Sequence, residues 1–174
     1  MKINAVVVSV PREYVYRVLN IHKQSFPEAS EAKLVAGLAT TDNYIDELSL
    51  AGVVDGRYVS HVLLSKITIK SGSQEVSALA LAPVATLPRF RALGVASHLI
   101  EYVIETARKM RYEFIVVLGD PEFYSRFGFV AASIYNISGP YAVADENFMV
   151  LKIGCMKNFP GGVVEYPEPF VRVC

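Results

Sequence analysis

The spacing of apolar and polar positions changes period several times along the chain, and each change marks an element. Between residues 95 and 110, apolar residues fall at Val95, Leu99, Ile100, Val103, Ile104 and Ala107, with Glu101, Glu105, Arg108 and Lys109 mostly opposite. Steps of three and four predict an amphipathic helix, Val95–Met110. Just before it, the run from Val76 to Leu87 is uncharged and largely apolar, which predicts a buried strand starting at Glu75 and closed by Pro88. Phe114 to Leu118 is a short β-prone run bounded by the turn cluster Gly119-Asp120-Pro121. Upstream, Ile3 to Val10 reads as a strand. Tyr14 to Phe26 reads as a helix with Val15, Val18, Leu19 and Ile21 inward and His22 facing solvent. After Pro27, Ser30 opens a second helix reaching about Leu38. Leu48–Val54 and Tyr58–Ile69 read as strands joined by an Asp55-Gly56 hairpin turn, and Ser71-Gly72-Ser73 makes the next turn. A short helix after Pro121 and further strands, including Asn147–Ile153, complete the pattern.

Antiparallel strands with helices between and around them predict a mixed α/β architecture. The strand before Pro88 and the strand at Phe114 are joined by a helix, so they are expected to be parallel neighbours in a right-handed crossover. At 174 residues, with no repeat, linker or low-complexity tract, residues 1–174 are read as one domain. Hydrophobic residues make up 52% of the chain against 20% charged, which favours a sizeable core over disorder.

Charge and cysteine content narrow the functions further. Seventeen basic and seventeen acidic residues cancel, so no generally basic surface for nucleic acid is expected. Cys155 and Cys174 stand far from any C-x-x-C or Cys/His pattern, which argues against a zinc site and for free thiols. Met1 to Val10 is too short for a secretory h-region, and the uncharged run from Phe127 to Ala144 is broken by Gly128, Asn136, Gly139 and Pro140. A soluble, cytoplasmic protein without a membrane span is the expectation.

The strand-to-helix junction carries the candidate chemistry. It reads Pro88-Arg89-Phe90-Arg91-Ala92-Leu93-Gly94-Val95-Ala96-Ser97. The first N–H groups of a helix lack internal partners and lie at the positive end of its dipole. No Ser, Thr, Asp or Asn stands directly before Val95 to cap them, so an anion such as a phosphate is a natural guest. Small residues at Gly94 and Ala96 let the turn amides come close to it. The short strand at Phe114 is then followed by Glu122-Phe123-Tyr124-Ser125-Arg126-Phe127-Gly128-Phe129.

Two motifs in this order, Arg-x-x-Gly-x-Ala at residues 91–96 and Phe-Tyr-x-x-x-Gly-Phe at residues 123–129, resemble the acyl-CoA signature and the following segment of the GNAT N-acetyltransferases. The similarity extends into the flanks and is closest to an uncharacterised bacterial branch. It implies a largely antiparallel sheet flanked by helices, with a splayed parallel strand pair. It further implies transfer of an acetyl group from acetyl-CoA, as co-substrate, to a primary amine, with no metal. Holding the cofactor falls to Arg91, Ala92, Leu93, Gly94, Val95, Ala96 and Ser97. The resemblance assigns carbonyl polarisation to the backbone amides of Val84, Ala85 and Thr86. Pro83 lacks an N–H, and the two strands are expected to part beyond it.

Tyr124 matches the family's proposed general acid, since a phenol with a pKa of about 10 is protonated at neutral pH. A packed core aromatic is the competing reading of Tyr124. Ala92, Leu93 and Gly119-Asp120-Pro121 depart from the commoner family residues, and Asp120 reads as a turn or cap residue. His98 beside Ser97 does not make a triad, because adjacent helix residues do not face each other. The acceptor, a small-molecule or peptide amine, is expected against residues 25–38 and 133–147, and a homodimer is compatible with the pattern. A non-catalytic acyl-CoA-binding module and a partner-binding protein that kept only the fold are the alternatives.

Overall fold

The computed structural model describes residues 3–173, so the expectation for Cys174 lies outside the described residues. The chain runs β1 (Val6–Ser9), α1 (Tyr16–Ser25), α2 (Ser30–Leu38), β2 (Tyr44–Val54), β3 (Arg57–Ser71) and β4 (Gln74–Thr86). It continues with α3 (Val95–Arg108), β5 (Phe114–Leu118), α4 (Pro121–Tyr124), β6 (Val130–Ala131), β7 (Ile137–Ser138), β8 (Phe148–Lys152), β9 (Gly162–Glu165) and α5 (Glu168–Val171). Single 3₁₀ turns flank several of these elements, including Arg12–Tyr14 before α1 and Ser125–Phe127 after α4.

The main sheet order is β1-β2-β3-β4-β5-β8-β6. All neighbours on this path are antiparallel except β4 and β5, which are parallel as their helical crossover requires. The sheet holds a second parallel contact that the sequence does not signal, between the two-residue β7 and β9. β9 also pairs with Thr68–Lys70 of β3, beyond the point at Ser65 where β2 stops.

Both faces of the central strands are covered, which explains why residues 76–87 carry no charge. Alternation sends Leu79 and Leu81 to the α3 side, against Leu99, Ile100, Val103 and Ile104. Ala78 and Ala80 face the opposite side, where Leu34, Val35, Leu38 and Phe170 pack. Each such buried Leu or Ile contributes about 1.5–3 kcal/mol of transfer free energy. The helical stripe predicted for α3 is the buried set, and Glu101, Glu105, Arg108 and Lys109 are outside it.

His22 corrects the sequence reading. It is not solvent-facing but fully buried, because it lies four residues after Val18 and so falls on the inward stripe of α1. Its Nε2 is 2.8 Å from Nδ1 of His61 on β3, and His61 Nε2 is 2.8 Å from Ser49 Oγ. The Tyr44 hydroxyl lies 2.7 Å from Ser49 Oγ and 2.6 Å from the Val10 carbonyl oxygen. The phenol has one proton. With that proton on the Val10 carbonyl, every other group donates toward Tyr44, and both imidazoles carry their proton on Nε2. His22 Nδ1 is then a bare lone pair, and it has no partner.

This pair makes stability pH-dependent. Burial pushes the His22 pKa down to about 4, and burial together with the neighbouring His22 pushes His61 well below its usual value. Both rings are neutral in the fold, whereas unfolded imidazoles protonate below about 6.5. The unfolded chain therefore binds more protons as pH falls, so stability is full above pH 6.5 and declines below it. At pH 5, before carboxylates titrate, His22 alone accounts for about 2 kcal/mol, which is roughly a 4–8 °C drop in Tm. Calorimetric melts at pH 7.5 and 5.0 check this. His22→Gln should show a smaller drop, and a flat wild-type Tm would mean that the pair is solvated.

Candidate active site

The turn after β4 is built from left-handed backbone. Ala92 has φ +59° and Gly94 φ +82°, and between them the chain reverses into α3. Gly94 is the N-cap of α3 and no side chain caps the first turn, so the amides of Val95, Ala96 and Ser97 keep their donors free. These residues, with Ala92 and Leu93, line a cavity of about 440 Å³ whose other wall carries Phe123 and Arg126. The helix N-terminus is seated by Gly52 on β2, where an added Cβ would lie 2.8 Å from Val95 Cγ1. Nothing local in the sequence marks Gly52 for that task.

Arg91 reaches this cavity, but its guanidinium faces two backbone carbonyls. Nε donates to the Thr86 oxygen at 3.2 Å and a terminal nitrogen donates to the Ser25 oxygen at 3.3 Å. Ser25 Oγ donates to the same Thr86 oxygen at 3.0 Å. Arg91 thus ties the turn to the ends of β4 and α1. The cationic side chain across the cavity is Arg126, which donates to the Phe123 carbonyl at 3.2 Å and lies 4.6 Å from the Phe123 ring centroid. Arg126 occupies a free position within Phe-Tyr-x-x-x-Gly-Phe, so sequence reasoning passed over it. Arg89 lines a separate cleft with Arg17 and Arg57.

The parallel pair runs only from Ala78/Phe114 to Ala80/Val116. The strands therefore part before Pro83, earlier than the proline alone predicts. On its other side β4 stays paired with β3 as far as Thr86, with a register shift between Val62 and Leu64 that absorbs the Ala82-Pro83 step. Leu87 donates its N–H to the Val59 oxygen on β3. Antiparallel alternation then turns the Ala85 amide toward β3 and the amides of Val84 and Thr86 toward the open edge. The Thr86 carbonyl, held by Ser25 and Arg91, agrees with this orientation.

The gap between the diverging strands opens into a cavity of about 340 Å³. Leu81 to Val84 form one wall, Val117 and Leu118 another, and Tyr124 lines it from α4. Its far side comes from α2 and from Tyr141, Tyr166 and Phe170. Residues 25–38 and 133–147 therefore both contribute, and the C-terminal Tyr166 and Phe170 join them without any sequence signal.

Tyr124 is held by what surrounds it. The Asp120 carboxylate caps α4, accepting the Glu122 N–H at 2.9 Å, and Pro121 opens the helix. The Tyr124 ring packs edge-on against Phe123 and Phe129, at centroid distances of 4.9 and 5.8 Å. It also lies directly on Gly119, where any Cβ would collide with ring carbon Cε2. Asn147 fixes that glycine, accepting its N–H at 2.9 Å and donating from Nδ2 to its carbonyl at 3.1 Å. Burial raises the Tyr124 pKa to about 12. The phenol thus remains a proton donor throughout the neutral range.

Among the described residues, no group of three or more His, Cys, Asp or Glu could hold a metal ion. Among them, too, no helix is long and apolar enough to cross a membrane. Cys155 is an exposed free thiol.

The structure sets an uncapped helix start beside a splayed parallel pair, with a tyrosine lining the gap between the strands. Residues 7–132 match the acetyltransferase (GNAT) domain family. The uncharacterised N-acetyltransferase YjhQ of Escherichia coli is 30% identical over 131 residues, covering 75% of this chain and 72% of its own. The crystal structure of the E. coli GNAT family N-acetyltransferase YhbS in complex with CoA superposes with a TM-score of 0.87 at 25% identity, covering 99% of this chain and 94% of that one. A Brucella melitensis GNAT family acetyltransferase in complex with acetyl-CoA shares the fold at a TM-score of 0.77 and 23% identity, covering 96% of this chain and 98% of that one. The chain belongs to the GNAT family and is an acetyltransferase.

Proposed function

We propose that the protein binds acetyl-CoA along the β4 edge and transfers its acetyl group directly to a primary amine seated in the 340 Å³ cavity. The observation that carries this reading is that neighbouring residues of α4 line two cavities. Phe123 lines the one at the uncapped helix start, and its neighbour Tyr124 lines the one between the splayed strands. A cofactor with its pyrophosphate on the amides of residues 92–97 and its pantetheine arm along the open edge of β4 would bring its thioester to Tyr124. The amides of Val84 and Thr86, turned toward that edge, are suited to polarise the thioester carbonyl.

In the reaction the neutral amine forms the new C–N bond, the C–S bond breaks, and the amine gives up one proton. Tyr124 supplies a proton to the departing sulfur, and the proton the amine gives up returns to the phenolate through solvent. No acyl-enzyme is needed, and the described cysteine, Cys155, lies outside both cavities. The test is a panel of primary amines incubated with acetyl-CoA, with released thiol as the readout. At least one amine should give thiol release above the amine-free control, together with the N-acetylated product. Calorimetric binding of acetyl-CoA without transfer to any amine would leave only a binding module.

A further inference from the structure

Among the described residues, Glu31 gives the acceptor cavity its one charged side chain. Its side chain lies in the first turn of α2, and every other residue lining the cavity is apolar, aromatic or a neutral hydroxyl. One carboxylate oxygen, Oε2, is buried and accepts no hydrogen bond. Among the described residues Glu31 makes no ion pair, and no Lys, Arg or His lines the cavity to balance it. A buried carboxylate oxygen without a donor is costly, and native proteins rarely leave one in that state. The cavity is therefore short of a cationic donor, which a ligand can bring. Around it, Tyr141 and Tyr166 pack at 5.3 Å and Tyr166 and Phe170 at 5.0 Å, forming an aromatic wall.

We infer that this cavity selects an acceptor carrying an ammonium group on an apolar body, with the cation bound to Glu31 and the body against the aromatic wall. An ammonium supplies the missing charge and up to three N–H donors, and aromatic faces add cation–π attraction. The same charge excludes a class of acceptors. A free α-amino acid would bring its own carboxylate next to Glu31 with no basic residue to neutralise it. The volume, about 340 Å³, lies at the small end of ligand pockets, so an amine of side-chain size fits better than a folded protein surface. The inference uses the transfer reading only in calling the bound amine the acceptor; the binding itself stands or falls alone.

The test is calorimetry on the full chain saturated with CoA, using three probes that share a phenethyl body: phenethylamine, 2-phenylethanol and phenylalanine. Phenethylamine should bind about 10–100-fold more tightly than either of the others, the range expected for a charge-assisted contact. Glu31→Gln keeps the shape and should erase that preference while leaving CoA affinity unchanged. Glu31→Asp, which retracts the charge, should fall between. Equal binding of the three probes, no binding of phenethylamine, or a preference that survives in Glu31→Gln would overturn the inference. A protein that holds phenethylamine through Glu31 yet never consumes acetyl-CoA would instead refute the transfer reading and leave this one standing.

Discussion

Tyr124→Phe should lower kcat by about 10²–10⁴, the usual worth of a positioned general acid, with little change in acetyl-CoA affinity or Tm. The substitution keeps the ring, so the edge-on contacts with Phe123 and Phe129 and the seat on Gly119 survive. Only the hydroxyl is lost. A phenol at about 12 is a weak acid for a thiolate whose aqueous pKa is about 8.5. The proposed transfer relies on the same burial acting on both groups, since a groove that disfavours the phenolate disfavours the thiolate as well. Because Tyr124 stays protonated, activity should not fall as pH rises from 7 to 10. It should instead climb as the amine acceptor loses its proton and then level off. The measurement is steady-state kinetics with a productive amine, alongside calorimetry and a thermal melt of the variant. Equal turnover by the Phe variant would reduce Tyr124 to a packing residue.

The parts of this protein that were legible in the sequence are those fixed by local chemistry. The second helix, predicted to run from Ser30 to about Leu38, and the strand at Phe114–Leu118 match their observed bounds, because spacing and turn residues decide them. The start of α3 at Val95 was legible for the same reason, as was Asp120 acting as a cap. What escaped depends on contacts between distant residues. His22 looks polar in isolation, and only β3 arriving with His61 makes burial tolerable there. Gly52 and Gly119 read as ordinary glycines until Val95 and Tyr124 are laid on them. Arg91 lines the cavity at the helix start as its motif position suggests, but its bonds to the Thr86 and Ser25 carbonyls, and Arg126 on the facing wall, carry no sequence signal. The aromatic wall around the 340 Å³ cavity needs Tyr166 and Phe170 near the end of the chain, which no motif connects to the rest.

Gly94→Val should reduce acetyl-CoA affinity by at least about 100-fold while the protein stays folded. Gly94 sits at φ +82°, a left-handed conformation that costs an L-residue roughly 1–2 kcal/mol and a β-branched one more. The chain can relieve that strain by shifting the first turn of α3, and that turn holds the amides proposed to meet the pyrophosphate. A hydrogen bond to a charged group is worth about 1.5–3 kcal/mol, so misplacing two of them already gives the stated loss. The fold tolerates the change because the buried stripe of α3, from Val95 to Ala107, is otherwise untouched. A Tm lower by about 2–8 °C is expected from the strain alone. Ala92→Gly is the control. Ala92 already holds φ +59°, so glycine there relaxes the turn without obstructing it, and binding should be retained. Calorimetric titration of acetyl-CoA into both variants separates the outcomes. An unchanged affinity in folded Gly94→Val would move the pyrophosphate away from this turn, and with it the whole assignment of residues 91–97.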